Sequence, residues 1–342
     1  MIVKPRPLRR GDVVGILSPS SEIKSFPQRT ARALRSLEAL GLLPRLAPHA
    51  LDAHGQVPAP PATIADDLHM LLEDASVAGI LCSTGGWSSN TILPFIDWNI
   101  VSRNPKVFVG FSDITALLCG FYARTGLCVF HGPTLLPCFG DAGGPLAFTI
   151  ENFERVVFGH ACQISLPTPD AFTDERLFWD REDTRPRKLR ATTPWGCLHG
   201  GDAEGPLIGG NLTTLGRLVG TPFLPDFKGA ILLLEESGSS VAQVEAILSQ
   251  FDQAGLLTGI RGLVFGRPSQ FIDTQEDGLH ARLRALGERL GVPVLADVDF
   301  GHTEPRLTIP IGVRARLDGR TCTLNLLESA VDPVLAHPGI GN

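Results

Sequence analysis

The chain has 342 residues, 43% of them apolar, and a formal net charge of -6. That length and apolar content can bury a large core and suit two domains or one large one. The acidic balance offers neither the basic footprint of a nucleic-acid-binding protein nor a polybasic membrane anchor, so a small molecule or peptide is the default partner.

In chain order, Val13 to Leu17 reads as a buried strand, and the loop Ser18-Pro-Ser-Ser21 follows at its C-terminal end, where open α/β sheets line ligand clefts. Phe26 to Gly41 has helical spacing, with Ala31, Leu34, Leu37 and Leu40 on one face and a glycine at the end. A short strand at Leu43 to Leu46, a Pro- and Ala-rich loop over 53–63 and a helix from Thr63 to about Glu73 complete a βαβα pattern. Gly79 to Cys82 is the next strand and runs into Ser83-Thr84-Gly85-Gly86, before a helix expected around Thr91 to Phe95. Paired glycines let the backbone approach a ligand and aim its amides at an oxyanion or carboxylate, although a plain tight turn fits the same residues.

Val107 to Val109 reads as a strand, Gly110 permits a sharp turn, and helical spacing resumes at Ile114. Ser112 therefore sits at a strand-to-helix corner, the geometry of a nucleophile elbow, with capping of the helix by Ser112 or Asp113 as the alternative. His131 follows at another strand end, as a base or as a structural histidine beside Gly132-Pro133. Residues 166–200 then break the rhythm, interleaving Phe172, Phe178, Trp179 and Trp195 with charged residues that include Arg187. A lid that stacks on a planar group and a solvated interdomain linker are both consistent with that composition.

In the second half, Gly205 to Gly216 carries a strand, a glycine pair and Asn211, placed to cap the next helix. The strand ending at Leu234 hands over directly to Glu235 and Glu236, a position that belongs in a cleft more often than on an outer face. An amphipathic helix over Val241 to Ala254, a strand at Gly259 to Phe265 and a helix at Leu279 to Leu290 follow. Strands at Pro293 to Val298 and Leu307 to Gly312 and a terminal hairpin turning at Asp318-Gly319 close the pattern. The seven cysteines, at 82, 119, 128, 138, 162, 197 and 322, contain no Cys-x-x-Cys pair, so neither a disulfide framework nor a zinc ribbon is expected. The nine histidines show no metal-ligand spacing. Gly11 and Asp12 interrupt any signal-peptide core and no long apolar run occurs, which points to a cytoplasmic protein with no cofactor and no metal.

Several segments together resemble the serine peptidases of the LD-carboxypeptidase and microcin C immunity family: Ser83 to Gly86, Gly110-Phe-Ser-Asp-Ile-Thr115, Gly209-Gly-Asn-Leu212, Gly220-Thr-Pro222, Leu234-Glu235, Gly301-His302 and Ile309-Pro-Ile-Gly312. They occur in the family's order and span most of the chain. The resemblance implies Ser112 as nucleophile, Glu235 as acid, His302 as base, and the Gly86 and Asp113 amides as oxyanion hole. Glu236 adjoins Glu235, and only its place directly after the apolar run favours the first. The chemistry agrees independently, since a serine hydroxyl needs a histidine to take its proton and the histidine needs a carboxylate to fix its tautomer. The glycine expected two residues after an α/β-hydrolase nucleophile is here Ile114.

The resemblance further implies an N-terminal flavodoxin- or Rossmann-like parallel-sheet α/β domain (1–165), a lid-like connection (166–200), a mixed α/β swivelling-type domain (201–342), an active site at their interface, and a homodimer. It offers two substrates: muropeptide tetrapeptides, from which a terminal D-amino acid is released, and microcin C-like peptidyl or aminoacyl nucleotides. The aromatic, basic connection and the Trp87-Ser-Ser-Asn90 segment favour the second, with Gly85, Trp87, Asn90, Trp179, Arg187, Trp195 and Asn211 as candidate substrate contacts. A non-catalytic small-ligand binding protein, with Ser112 merely a helix cap, is the alternative of another class.

Overall fold

The alternating strands and helices of the first part of the sequence build a six-stranded sheet in the computed structural model, which describes residues 2–159, 161–272 and 276–332. Strands β1 (Val13–Leu17), β2 (Leu43–Leu46), β3 (Val77–Cys82), β4 (Val107–Gly110) and β5 (Val129–His131) are parallel, in the order β2-β1-β3-β4-β5. β3 and β4 are buried along their whole length, which is why they read as unbroken apolar runs rather than alternating ones. This is the flavodoxin-like strand order, and its topological switch opens a crevice outside the carboxyl ends of the strands. Helices α1 (Pro27–Ala39), α2 (Pro61–Glu73), α3 (Trp98–Arg103), α4 (Thr115–Thr125) and α5 (Ala147–Val157) belong to this half.

The helix expected at Thr91 to Phe95 is instead two single 3₁₀ turns, Ser89–Thr91 and Leu93–Phe95. Pro94 has no N–H to extend a helix through that point. α3 begins afterwards, where the Asp97 carboxylate accepts from the Asn99 amide at 2.8 Å.

The remaining strands are β6 (Ile164–Ser165), β7 (Ala171–Phe172), β8 (Arg190–Ala191), β9 (Gly196–His199), β10 (Asp202–Asn211), β11 (Ile231–Glu235), β12 (Gly262–Gly266), β13 (Val294–Val298), β14 (Ile309–Ile311), β15 (Arg314–Asp318) and β16 (Thr323–Leu326). Eight of them form a second sheet in the order β6-β16-β15-β10-β11-β12-β13-β9. β10 serves two neighbours in turn: Asp202 to Pro206 pair antiparallel with β15, and Leu207 to Asn211 pair parallel with β11. α6 (Leu212–Leu218), α7 (Val241–Gln253) and α8 (Glu276–Leu290) belong to this half. The chain is mixed α/β, as its alternating pattern predicts. The halves interlock, because β6 pairs with β16 in the second sheet while β14 returns to pair antiparallel with β5 in the first.

Cys197 on β9 is disulfide-bonded to Cys322 in the β15–β16 turn, with Cα atoms 5.6 Å apart across 125 residues of chain. This corrects the expectation, drawn from the scattered cysteines, that no disulfide is present. A bridge across so long a separation leaves no spacing signature; only the fold brings β9 beside that turn. Among the described residues no helix is long and apolar enough to cross a membrane.

Candidate active site

The corner after β4 is tight because its residues leave no alternative. A Cβ on Gly110 would lie 2.4 Å from Ile114 Cγ2, so the small residue of this elbow precedes Ser112 and Ile114 fills the space behind it. Ser112 has φ 61°, a left-handed value that costs a non-glycine residue on the order of 1–3 kcal/mol and persists only where the surroundings over-determine it. One 3₁₀ turn, Ser112–Ile114, then leads into α4.

His302, in the loop after β13, places Nε2 at 2.9 Å from Ser112 Oγ and Nδ1 at 2.7 Å from Glu235 Oε2. With Nδ1–H donating to the carboxylate, Nε2 is left free to accept the serine proton. Glu235 is fully buried at the last position of β11. Burial works against its charge, but the facing His302, with His131 and Asn211, outweighs that penalty and holds the carboxyl below its ordinary value. The three side chains come from the corner after β4, the end of β11 and the loop after β13, so neither half of the chain carries the arrangement alone.

The glycine pair packs directly on this corner. A Cβ on Gly85 would meet Ser112 Oγ at 3.0 Å, and one on Gly86 would meet Ser20 Oγ at 2.5 Å and Ser21 Oγ at 2.2 Å. Glycine is required at both positions by close approach. A cavity of about 570 Å³ opens in front of Ser112 and His302, with Gly85, Phe111, Trp179 and Arg187 in its wall.

A family model for the LD-carboxypeptidase N-terminal domain matches residues 14–132, and one for the LD-carboxypeptidase C-terminal domain matches residues 204–317. The chain belongs to the LD-carboxypeptidase family. It is 32% identical to the microcin C7 self-immunity protein of Escherichia coli over 77% of this chain and 78% of that protein. It is 30% identical to a probable murein peptide carboxypeptidase of Bacillus subtilis over 92% of this chain and 91% of that protein. A solved structure of the microcin C7 self-immunity protein in complex with aspartyl sulfamoyl adenosine superposes with a TM-score of 0.90 at 28% identity, covering 96% of this chain and all of the other. LD-carboxypeptidase relatives support serine peptidase activity for this chain.

Within this LD-carboxypeptidase fold the peripheral residues read from sequence separate into two groups. Gly85, Trp179 and Arg187 line the cavity. Trp87, Asn90, Asn211 and Trp195 do not. Trp87 is 75% exposed and lies against the Arg217 guanidinium, 4.5 Å from carbon to ring centroid. Asn90 sits in the 3₁₀ turn Ser89–Thr91. Asn211 caps α6 by accepting from the Thr214 amide at 3.0 Å. Trp195, expected as a substrate contact, is buried and donates its indole N–H to Asp299 Oδ2 at 2.9 Å. Its polar handle is occupied inside the second half.

Apart from Arg187, sequence reasoning missed the charged wall of the cavity. Arg306 is buried with its guanidinium carbon 3.3 Å from the Phe111 ring centroid, and Glu304 accepts from the Cys138 thiol at 3.0 Å. Arg187 donates to Asp141 at 2.5 Å, and Arg29 donates to Asp183 at 2.7 Å. The 166–200 connection is anchored by the same chemistry. Asp180 accepts from the Gln28 and Arg29 amides at the start of α1, at 2.7 and 2.8 Å, a site left without a cap by α1's own residues. Arg32 also donates to Asp183. These contacts hold Trp179 over Arg29, at 4.8 Å, and edge-on to Phe26 at 5.1 Å.

His131 lies behind the corner, fully buried between Phe111 and Phe300, with neither ring nitrogen hydrogen-bonded among the described residues. Burial pulls its pKa down to about 4 from 6.5. The neutral ring is therefore native at pH 7, and the unfolded chain gains a proton first as pH falls below 6.5. Stability is expected to drop between about pH 6.5 and 4, by on the order of 2–3 kcal/mol from this group. Urea denaturation of wild type and His131→Phe at pH 7 and 4.5 checks this; an equal acid loss in both proteins would assign the drop elsewhere.

Proposed function

We propose that this LD-carboxypeptidase family member is a serine hydrolase that cleaves the amide-type bond between an aminoacyl or peptidyl carbonyl and a nucleotide-like phosphoramidate or sulfamate. The observation that carries the reading is the continuous line Ser112–His302–Glu235 opening into a cavity walled by Trp179. Ser112 Oγ attacks the carbonyl as His302 Nε2 takes its proton, and Glu235 stabilises the imidazolium without itself being protonated. The Gly86 and Asp113 amides take the developing oxyanion, each worth roughly 3–4 kcal/mol in the transition state. His302 then protonates the leaving nitrogen, the acyl group stays on Ser112, and water activated by the same histidine releases the acid.

An indole whose one side is occupied by Arg29 and Phe26 offers its remaining surface to a planar base, and Arg187 and Arg306 suit the phosphate substitute. The same two arginines suit the terminal carboxylate of a muropeptide, which keeps release of D-alanine from tetrapeptides as the second reading. The test is mass-spectrometric turnover of an aminoacyl sulfamoyl adenosine beside a muropeptide tetrapeptide. Cleavage of the adenosine compound is expected. Removing the stacking surface in Trp179→Ala is expected to raise its KM by roughly tenfold or more. Release of D-alanine alone would transfer the enzyme to muropeptides, and binding of either compound without turnover would favour a non-catalytic binding protein.

A further inference from the structure

We propose that the buried carboxylate of Asp113, paired with Arg217 of α6, is the positioning residue that sets the Gly86 and Asp113 amides against the Ser112 hydroxyl. This rests on the hydrolase reading above and adds to it the device that assembles the oxyanion hole.

Asp113 is 1% exposed, yet its carboxylate is not used locally. Oδ2 accepts from Ser20 Oγ at 2.6 Å and from the Ser89 amide at 2.8 Å, and Oδ1 accepts from Arg217 Nη1 at 3.0 Å. These donors come from the loop after β1, the turn after the glycine pair, and α6 of the second half. A residue that merely capped the turn at 112–114 would bond within that turn; here every side-chain partner lies at least 24 residues away. The Asp113 carbonyl is held as well, accepting from Ser89 Oγ. Side chain, carbonyl and amide nitrogen share one Cα, so holding the first two holds the nitrogen in place beside Ser112.

Gly86 is tied to the same point. Its backbone packs on Ser20, whose hydroxyl is committed to Asp113. The next residue, Trp87, presents its carbonyl to Arg217 Nη1 at 3.4 Å and its ring to the same guanidinium at 4.5 Å. Arg217 thus grips the chain beside both proposed oxyanion donors. It also supplies the charge without which a buried carboxylate would be costly. This explains why a tryptophan that is 75% exposed follows the glycine pair: it packs against the cation rather than lining the cavity. The hole is complete only with α6 docked on the first half. Asn211, at the start of α6, adds to that docking through its amide, which donates to Thr115 Oγ1 at 2.9 Å.

The experiment compares wild type with Arg217→Met, Arg217→Lys, Asp113→Asn and the Asp113→Asn/Arg217→Met double variant, reading kcat and KM separately, with Ser112→Ala as control. Arg217→Met and Asp113→Asn are expected to lower kcat roughly 100-fold while KM moves less than about 3-fold, since the donors act on the oxyanion and not on the bound substrate. Arg217→Lys, which keeps a cation beside Asp113, is expected to recover about tenfold of that loss, and the double variant to be no worse than the poorer single. If Asp113→Asn does not fold, the two Arg217 variants carry the test, because that side chain is already a quarter exposed. Turnover lost in Ser112→Ala but within about 3-fold of wild type in Arg217→Met overturns the inference alone, as does a loss confined to KM. Turnover that survives Ser112→Ala overturns the hydrolase reading and this inference with it.

Discussion

Ser112→Ala is expected to lower turnover of a cleavable substrate by roughly four to six decades while leaving its binding nearly unchanged. The atom removed is the one that His302 Nε2 meets at 2.9 Å, and the His302–Glu235 pair stays intact behind it. What remains is the rate that binding and the oxyanion donors give to attack by water, roughly a thousandfold over solution. Stability should hardly move, because alanine at φ 61° carries the same left-handed strain as serine. Ser112→Gly makes the complementary case: equally inactive, but more stable by about 1 kcal/mol, since glycine adopts that conformation without a Cβ penalty. Single-turnover assays with equilibrium binding, and denaturation of all three proteins, check both halves. An alanine variant within tenfold of wild type would remove Ser112 from the role of nucleophile.

What the sequence made legible was what is local. Val107 to Ile114 encodes the elbow through one glycine and the switch from strand to helix spacing, and the strand ending at Leu234 places Glu235 at its carboxyl end. Asn211 reads as a cap and is one. Long-range pairing was not legible. The 309–311 segment reads as a strand, but no local pattern says that it joins β5 rather than the sheet of its own half. The charged cavity wall joins residues as distant as Cys138 and Glu304, 166 positions apart, so no spacing announces it. Trp195 and Trp179 look alike in an aromatic, basic segment. What separates them is that Asp299 takes the indole N–H of one while α1 and its arginine hold the other at the cavity. Asp113 was read for its amide or as a helix cap, because its carboxylate partners lie in segments that only the fold brings together.

The adjacent carboxylates supply the second large effect. Glu235→Gln is expected to lower kcat by roughly three to four decades, and Glu236→Gln by less than about tenfold. Glu235 is the last residue of β11 and Glu236 lies just past it, where its carboxylate is committed to other donors, so the two do not share a role. Glu235 faces His302; Glu236 accepts from the Thr213 amide at 3.0 Å, the Thr213 hydroxyl at 2.6 Å and the Ser237 amide at 2.9 Å, which ties β11 to the first turn of α6. A glutamine at 235 keeps the volume but can present an N–H to His302 Nδ1. That contact favours the tautomer with its proton on Nε2, which cannot accept from Ser112. A glutamine at 236 still accepts through its carbonyl and loses charge-assisted bonds to neutral donors, worth about 1–2 kcal/mol of stability. Paired kcat and denaturation measurements separate the two outcomes. Loss of activity in Glu236→Gln with a tolerant Glu235→Gln would reverse the assignment, and with it the path by which the histidine is oriented.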